Sequence, residues 1–270
     1  MDNTEFTVED GVLTFFGDYG NDGEIIIPDG VKKIDESAFV GSLFRARTVI
    51  IPEGVEEIAE CAFLDCATLE MVVFPQSLKF IGASAFMDCF KLCAAQLPAG
   101  CEVGECAFGS CEKLTDADIF NAAAIGESAF SGCRSLESAN LAEGIEIIPD
   151  FAFFDCHNLT ELKLPETLKS IGIAVFDNCR KLAEVIIPDG VESIGGSAFE
   201  NCTGIREIVI PKGVKNLGKK VFGGCKNLTV YCEEYSKPEE WDKNWNVTGG
   251  LFRKTRAKVI WGWRIRRPTK

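Results

Sequence analysis

A chain with 13 cysteines and a single histidine has few ways to do chemistry. Imidazole is the side chain that titrates nearest neutrality and the commonest zinc or iron ligand. Hydrolytic acid–base work or a metal centre would therefore have to be built on His157 or without imidazole. His157 follows Cys156, and the residues after comparable cysteines are Ala67, Phe90, Glu112, Arg134 and Lys226. That mixture marks a solvent position, so His157 is expected to be a bystander. Cys101, Cys106 and Cys111, each pair separated by four residues, are the one grouping that could be tried as zinc ligands. No C-x-x-C pair supports them. There is no G-x-x-x-x-G-K-[ST] loop, no H-E-x-x-H and no strand-bound G-x-G-x-x-G. The scattered acids lack the motif context of a paired-carboxylate glycosidase. The expectation is no catalytic residue, no metal, no cofactor and no enzyme.

Charge narrows the partners. Residues 237–270 carry ten Lys or Arg against three acids, while residues 1–236 carry a net charge of −20. A body that acidic repels phosphate backbones, which argues against nucleic-acid binding by the main domain. The basic tail holds Arg253, Lys254, Arg256, Lys258, Arg264, Arg266, Arg267 and Lys270, with Trp261 and Trp263. Two readings stay open for it. It is a polybasic arm for nucleic acid or an anionic surface, or a C-terminal strand lying on the chain's own acidic body with its tryptophans covering the last apolar layer. The first residues carry Asp2, Glu5 and Glu9 where an export signal would be basic and then apolar, and no run approaches a membrane span. No membrane insertion is expected, and location is open, with the cytoplasm favoured over the cell surface.

The elements that would position any site emerge when the chain is laid against itself. A small residue followed by Phe recurs at Phe39, Phe63, Phe86, Phe108, Phe130, Phe153, Phe176, Phe199 and Phe222, at spacings of 22–24 residues. Three residues after the Phe comes Cys66, Cys89, Cys111, Cys133, Cys156, Cys179, Cys202 or Cys225, with Ser42 in the first copy. Three further on comes Leu or Ile, then a short apolar run often ending in Pro, a polar turn, and an aliphatic pair such as Val55/Ile58 or Val191/Ile194. A unit this short cannot bury its own apolar residues, so adjacent copies must stack them into ladders around a shared interior. Successive strands then pair in parallel at about 4.8 Å, giving one sheet on the order of 45 Å long. The eight in-phase cysteines suit a ladder position of limited volume, as small buried apolar residues. Cysteines 61, 93, 101, 106 and 232 fall outside that position and leave disulfides open among them, while a mostly thiol inventory favours a reducing or anaerobic compartment.

The pattern L-x-x-I-x-I-P-x-x-V-x-x-I-G-x-x-A-F-x-x-C over residues 24–232 resembles the leucine-rich repeats of the BspA-like family, first recognised in bacterial surface proteins. The resemblance implies a repeat solenoid, a right-handed β-rich coil with one parallel sheet and short turns or helical turns on the convex side. It also implies caps: residues 1–23 before the nine repeats of 24–232, and residues 233–270 as a C-terminal cap and basic tail. Relatives are implicated in adhesion to host matrix proteins and in protein recognition.

If the chain has a working surface, it is the outward side of the strands. Side chains alternate, so positions two and four after the repeat Leu point away from the core. Candidate binding residues on those rows are Met71, Val73, Gln96, Asp116, Asp118, Asn140, Lys163, Ile186 and Val209. The rows are apolar toward both ends and polar in the middle, where the spacing falls to 22 and Phe120 and Ala142 replace the strand-ending Pro. The first expectation is a non-enzymatic protein-recognition module with an unidentified protein partner. The alternative is a cell-surface adhesin binding host matrix protein or glycan.

Overall fold

The computed structural model describes residues 4–18, 23–39, 45–249 and 255–263. Its centre is a column of aromatic rings. From Phe39 to Phe222 each repeat phenylalanine stacks on the next, with centroids 4.4–6.0 Å apart and ring planes within 17° of parallel. All nine are buried. No single repeat could seclude such a ring. Each contributes one face and borrows the other from its neighbour, so each coil is stabilised by the coils beside it.

Around each Phe the chain turns on two left-handed residues. The one two places before the Phe (Ser37, Cys61, Ser84, Cys106, Ser128, Phe151, Ala174, Ser197, Lys220) has φ of 50–58°. The one two places after it is Asp, Asn, Ser or Gly, with φ of 57–77° from Asp65 to Gly224. Asp, Asn and Gly tolerate that region best, which accounts for the second position. The first is held by the next coil: Ser84 N–H donates to Glu105 O at 2.7 Å and Phe86 N–H to Ala107 O at 2.7 Å, and the pattern repeats along the stack. These turns replace any helix on the return path. The only helical element among the described residues is a 3₁₀ turn, Ile119–Asn121.

Where one parallel sheet is expected, the structure has two strand ladders. The front ladder uses the apolar run after the repeat Leu. It comprises Glu24–Ile26, Thr48–Ile50, Met71–Val73 and Ala94–Ala95, then Ser138–Asn140 with Glu161–Lys163, then Glu207–Ile210, Thr229–Cys232 and Lys258–Trp261. The back ladder uses the aliphatic pair. Two-residue strands from Lys33–Ile34 to Ala124–Ile125, and again from Ile147–Ile148 to Asn216–Leu217, pair in parallel. The second ladder follows from the pair itself: its inward member (Ile34, Ile58, Ile81) must be buried, which forces two extended residues into register with the next coil.

The front ladder is interrupted twice. Between Ala94–Ala95 and Ser138–Asn140 only a single bridge, Ala94 to Asp116, continues it. There Phe120 stands where most other coils have the strand-ending Pro, and the turn closes as 3₁₀, with Asn121 N–H to Asp118 O at 2.8 Å. The second break falls at residues 183–187, where the run Val185-Ile186-Ile187 lies between neighbours without strand pairing.

Both ends are covered. An antiparallel hairpin, Thr4–Glu9 with Val12–Asp18, joins the back ladder through Leu13 beside Ile34. At the other end Phe222 meets Trp245 edge-on at 6.3 Å, and Trp241, Trp245 and Trp261 pack on one another. Lys258–Trp261 pairs in parallel with Thr229–Cys232. In the described part of the tail the strand reading therefore holds. Ser42, Arg253, Lys254, Arg264, Arg266, Arg267 and Lys270 lie outside the described residues.

Candidate functional site

The front face carries two outward rows, separated by a buried row of Val49, Val72, Ala95, Ala117, Ala139 and Ile208. Of the candidate residues, Met71, Val73, Gln96, Asp116, Asp118, Lys163 and Ile186 are exposed, and Asn140 and Val209 are half-buried. Ile186 is 84% exposed, the most open large apolar side chain described. Its openness goes with the second break in the ladder, which leaves its strand without partners on either side.

Four of the candidates come together in one recess of about 450 Å³. Met71, Val73, Gln96 and Asp118 line it, joined by Gln76 and Asn121. The sequence places Asp118 on a strand, but the structure puts it in the left-handed region at φ 48°, at the start of the 3₁₀ turn. The coil before it, from Leu92 to Phe108, is equally short yet keeps its strand Ala94–Ala95 with Gln96 outside the left-handed region, so coil length alone does not turn Asp118 out. Asp116 braces the bend by accepting the Asp118 N–H on Oδ1 at 3.1 Å. With its amide oriented to donate, Gln96 hydrogen-bonds the Asp118 carboxylate. Asn121 Nδ2 donates to Leu97 O at 2.9 Å and fixes the far wall. Apolar side chains thus lie on one side of the recess and a braced carboxylate on the other. Asn140 and Lys163 stand on the same face but do not line it.

A smaller recess of about 260 Å³ lies at the C-terminal end of the face. It is lined by Val185, Glu207, Ile208, Val209, Tyr231 and Trp263. Tyr231 and Trp263 have centroids 4.6 Å apart, and Tyr231 Oη donates to Glu207 Oε1 at 3.1 Å. Position-counting from the repeat Leu finds Val209 but misses the two aromatics. Tyr231 belongs to Thr229–Cys232, the strand of the last repeat, and Trp263 reaches the face only because the tail docks. A third cleft of about 1040 Å³ runs between the last turns and the tail and is lined in part by Thr203, Lys226, Leu228, Arg256, Ala257 and Lys258.

The turn side holds a polar network, not a metal set. His157 Nε2 lies 2.7 Å from Asp155 Oδ1, Asn178 Nδ2 reaches the same oxygen at 3.0 Å, and Arg134 bridges Glu112 and Asp155. These contacts tie four successive coils. Cys101 occupies the aliphatic position, Cys106 the left-handed position and Cys111 the thiol ladder, so the three do not converge. Among the described residues no three His, Cys, Asp or Glu side chains form a metal-ligating group, and no helix is long and apolar enough to cross a membrane.

No curated protein sequence matches the chain. Among solved structures, a leucine-rich repeat protein from Bacteroides ovatus is 28% identical, with a TM-score of 0.77 over 97% of this chain and 70% of that one. The leucine-rich repeat protein of T. pallidum is 29% identical, with a TM-score of 0.59 over 67% of this chain and 88% of that one. A leucine rich cell surface protein from Faecalibacterium prausnitzii, 20% identical with a TM-score of 0.52, shares the fold. The model of the BspA type leucine rich repeat region matches residues 14–123 and 102–229 in six copies. With the stacked phenylalanines and in-phase turns described above, this match establishes that the chain belongs to the BspA-type leucine-rich repeat family.

Proposed function

We propose that the protein is a non-enzymatic recognition module whose front face binds a protein partner. The repeat family suggests a protein-interaction or surface module, and its members are typically non-enzymatic scaffolds. The observation that carries the proposal is the face itself. Exposed Ile26, Met71, Val73 and Ile186 share one side of a rigid sheet with the braced Asp116–Asp118 bend. Ile26, Met71 and Val73 lie on nearby coils of the same ladder, so together they form an exposed apolar patch whose burial by a partner is favourable. In the same reading residues 1–23 and 233–270 are caps, and the candidate residues from Met71 to Val209 are the contact set. The thirteen unpaired thiols favour a reducing compartment, so a cytoplasmic module ranks above a surface adhesin for host matrix or glycan.

Site-specific photocrosslinking in the protein's own cells tests this. p-Benzoylphenylalanine in place of Val73 or Asn140 should capture a partner, whereas the same group in place of Phe80, exposed on the back ladder, should not. Equal capture from both ladders, or capture from Phe80 alone, would remove the front face as the site. Surface labelling of intact cells separates the cytoplasmic module from the adhesin.

A further inference from the structure

We infer that the aromatic recess at the C-terminal end of the front face receives a lysine or arginine side chain from an extended segment of the partner. This rests on the front face being the protein-binding surface and specifies the chemistry of what it binds. The recess is about 260 Å³, below the roughly 300–1,000 Å³ of small-molecule sites, so it suits one side chain and not a metabolite. Its walls fit a cation on an apolar stem. Val185 and Val209 offer aliphatic contact for methylenes, and the rings of Tyr231 and Trp263 offer π faces for the charged head. Glu207 supplies the counter-charge and is held in place by Tyr231 Oη at 3.1 Å.

The recess is built by the fold. Val209 and Tyr231 are registered partners on adjacent strands, and Trp263 N–H donates to Cys232 O at 3.0 Å, which brings the indole beside Tyr231. The surroundings add to the attraction. Exposed Glu161, Glu184 and Glu207 occupy the same row of three successive coils, where like charges destabilise one another unless a cation intervenes. Among the described residues none of the salt bridges involves these three acids. Exposed Ile186 beside them gives an extended segment alternating basic and apolar residues a matching apolar contact.

The probe is a fluorescein-labelled octapeptide of alternating Lys and Val, titrated into the full chain by fluorescence anisotropy. The alternating Glu–Val and Lys–Ser peptides are the charge and apolar controls. Trp263→Ala and Glu207→Gln should each weaken the Lys–Val peptide about fivefold or more. Glu60→Gln, an exposed acid several coils away, should change it less than twofold. Both recess side chains are exposed enough for the variants to fold, which a thermal melt confirms. If all three variants act alike, the peptide is held by overall negative charge and the proposal is wrong. It is equally wrong if the Lys–Val peptide fails to bind or binds no better than Glu–Val. Crosslinking from positions 73 and 140 samples the face outside this recess, so the recess assignment can fail while the recognition face stands.

Discussion

The Cys179 thiol donates to the carbonyl oxygen of Phe153, one coil back, at 3.3 Å. Seven further ladder cysteines make the same contact with the preceding coil's Phe, at 3.0–3.3 Å, from Cys66 on Phe39 to Cys225 on Phe199. The position thus asks for a small side chain with a donor. A methyl of similar size would fill the volume but leave that donor contact unmade.

Thiol accessibility follows from this arrangement. Burial pushes the thiols of Cys66, Cys111, Cys133, Cys156, Cys179 and Cys202 well above the ordinary cysteine range, and Cys225 to about 12, so mild alkali does not activate these seven. In the native protein a thiol reagent should label the exposed Cys93 first, then the half-buried Cys61 and Cys106. The eight ladder thiols should react only on unfolding. Denatured without reductant, the chain should release most of its 13 thiols. Release of fewer than half would mean disulfides and would overturn the buried-thiol account.

Close approach of coils makes some glycines irreplaceable. A Cβ at Gly195 would lie 2.5 Å from the Gly172 carbonyl carbon and oxygen, so Gly195→Ala must push two coils apart. A loss of about 2–4 kcal/mol is expected in urea denaturation. At Gly30 nothing lies within 4 Å of the added carbon, and only its φ of +90° opposes it. Gly30→Ala should cost about 1 kcal/mol. A loss at Gly195 no larger than that at Gly30 would show that the two coils yield to the added carbon and that contact does not set the cost.

Truncating the aromatic column in its middle removes contacts with two coils at once. Phe153 stacks on Phe130 at 5.6 Å and on Phe176 at 5.7 Å. Phe153→Ala should therefore lose about 3–5 kcal/mol. Because coupling runs between neighbours, hydrogen exchange should loosen most in the adjoining coils and fade toward the ends. Uniform loosening throughout would contradict nearest-neighbour coupling.

One carboxylate predicts a pH dependence. Burial raises the Asp177 carboxyl to about 6 from the usual 3.8, with Glu200 and Asp155 adding to the rise and the Asn201 amide, 3.0 Å away, opposing it. The folded state holds this proton more tightly than the unfolded chain, so the contribution of Asp177 to stability is greatest below about pH 4 and is lost as pH rises through about 6. Asp177→Asn should remove that decline and stabilise the protein near pH 7 by about 1 kcal/mol, since the half-exposed group keeps part of its hydration. A variant that melts lower at pH 7 while keeping the decline would place the cause elsewhere.

The amino-acid order by itself determined the number of coils, the identity of the buried Phe, Cys and Leu ladders and which strand residues face out. Each of these depends only on in-phase position, and periodicity is visible without coordinates. The resemblance carried by those residues led to the right family. Tertiary structure alone decided what depends on how coils meet. The aliphatic pairs form a second ladder because neighbouring copies bring two-residue strands into register. Asp118 leaves its strand for a bend braced by Asp116, although the equally short coil before it keeps Gln96 out of the left-handed region, a difference that coil length does not encode. Tyr231 and Trp263 share a recess with Glu207 because the tail folds back beside the last repeat, a contact between segments 32 residues apart that no repeat position encodes.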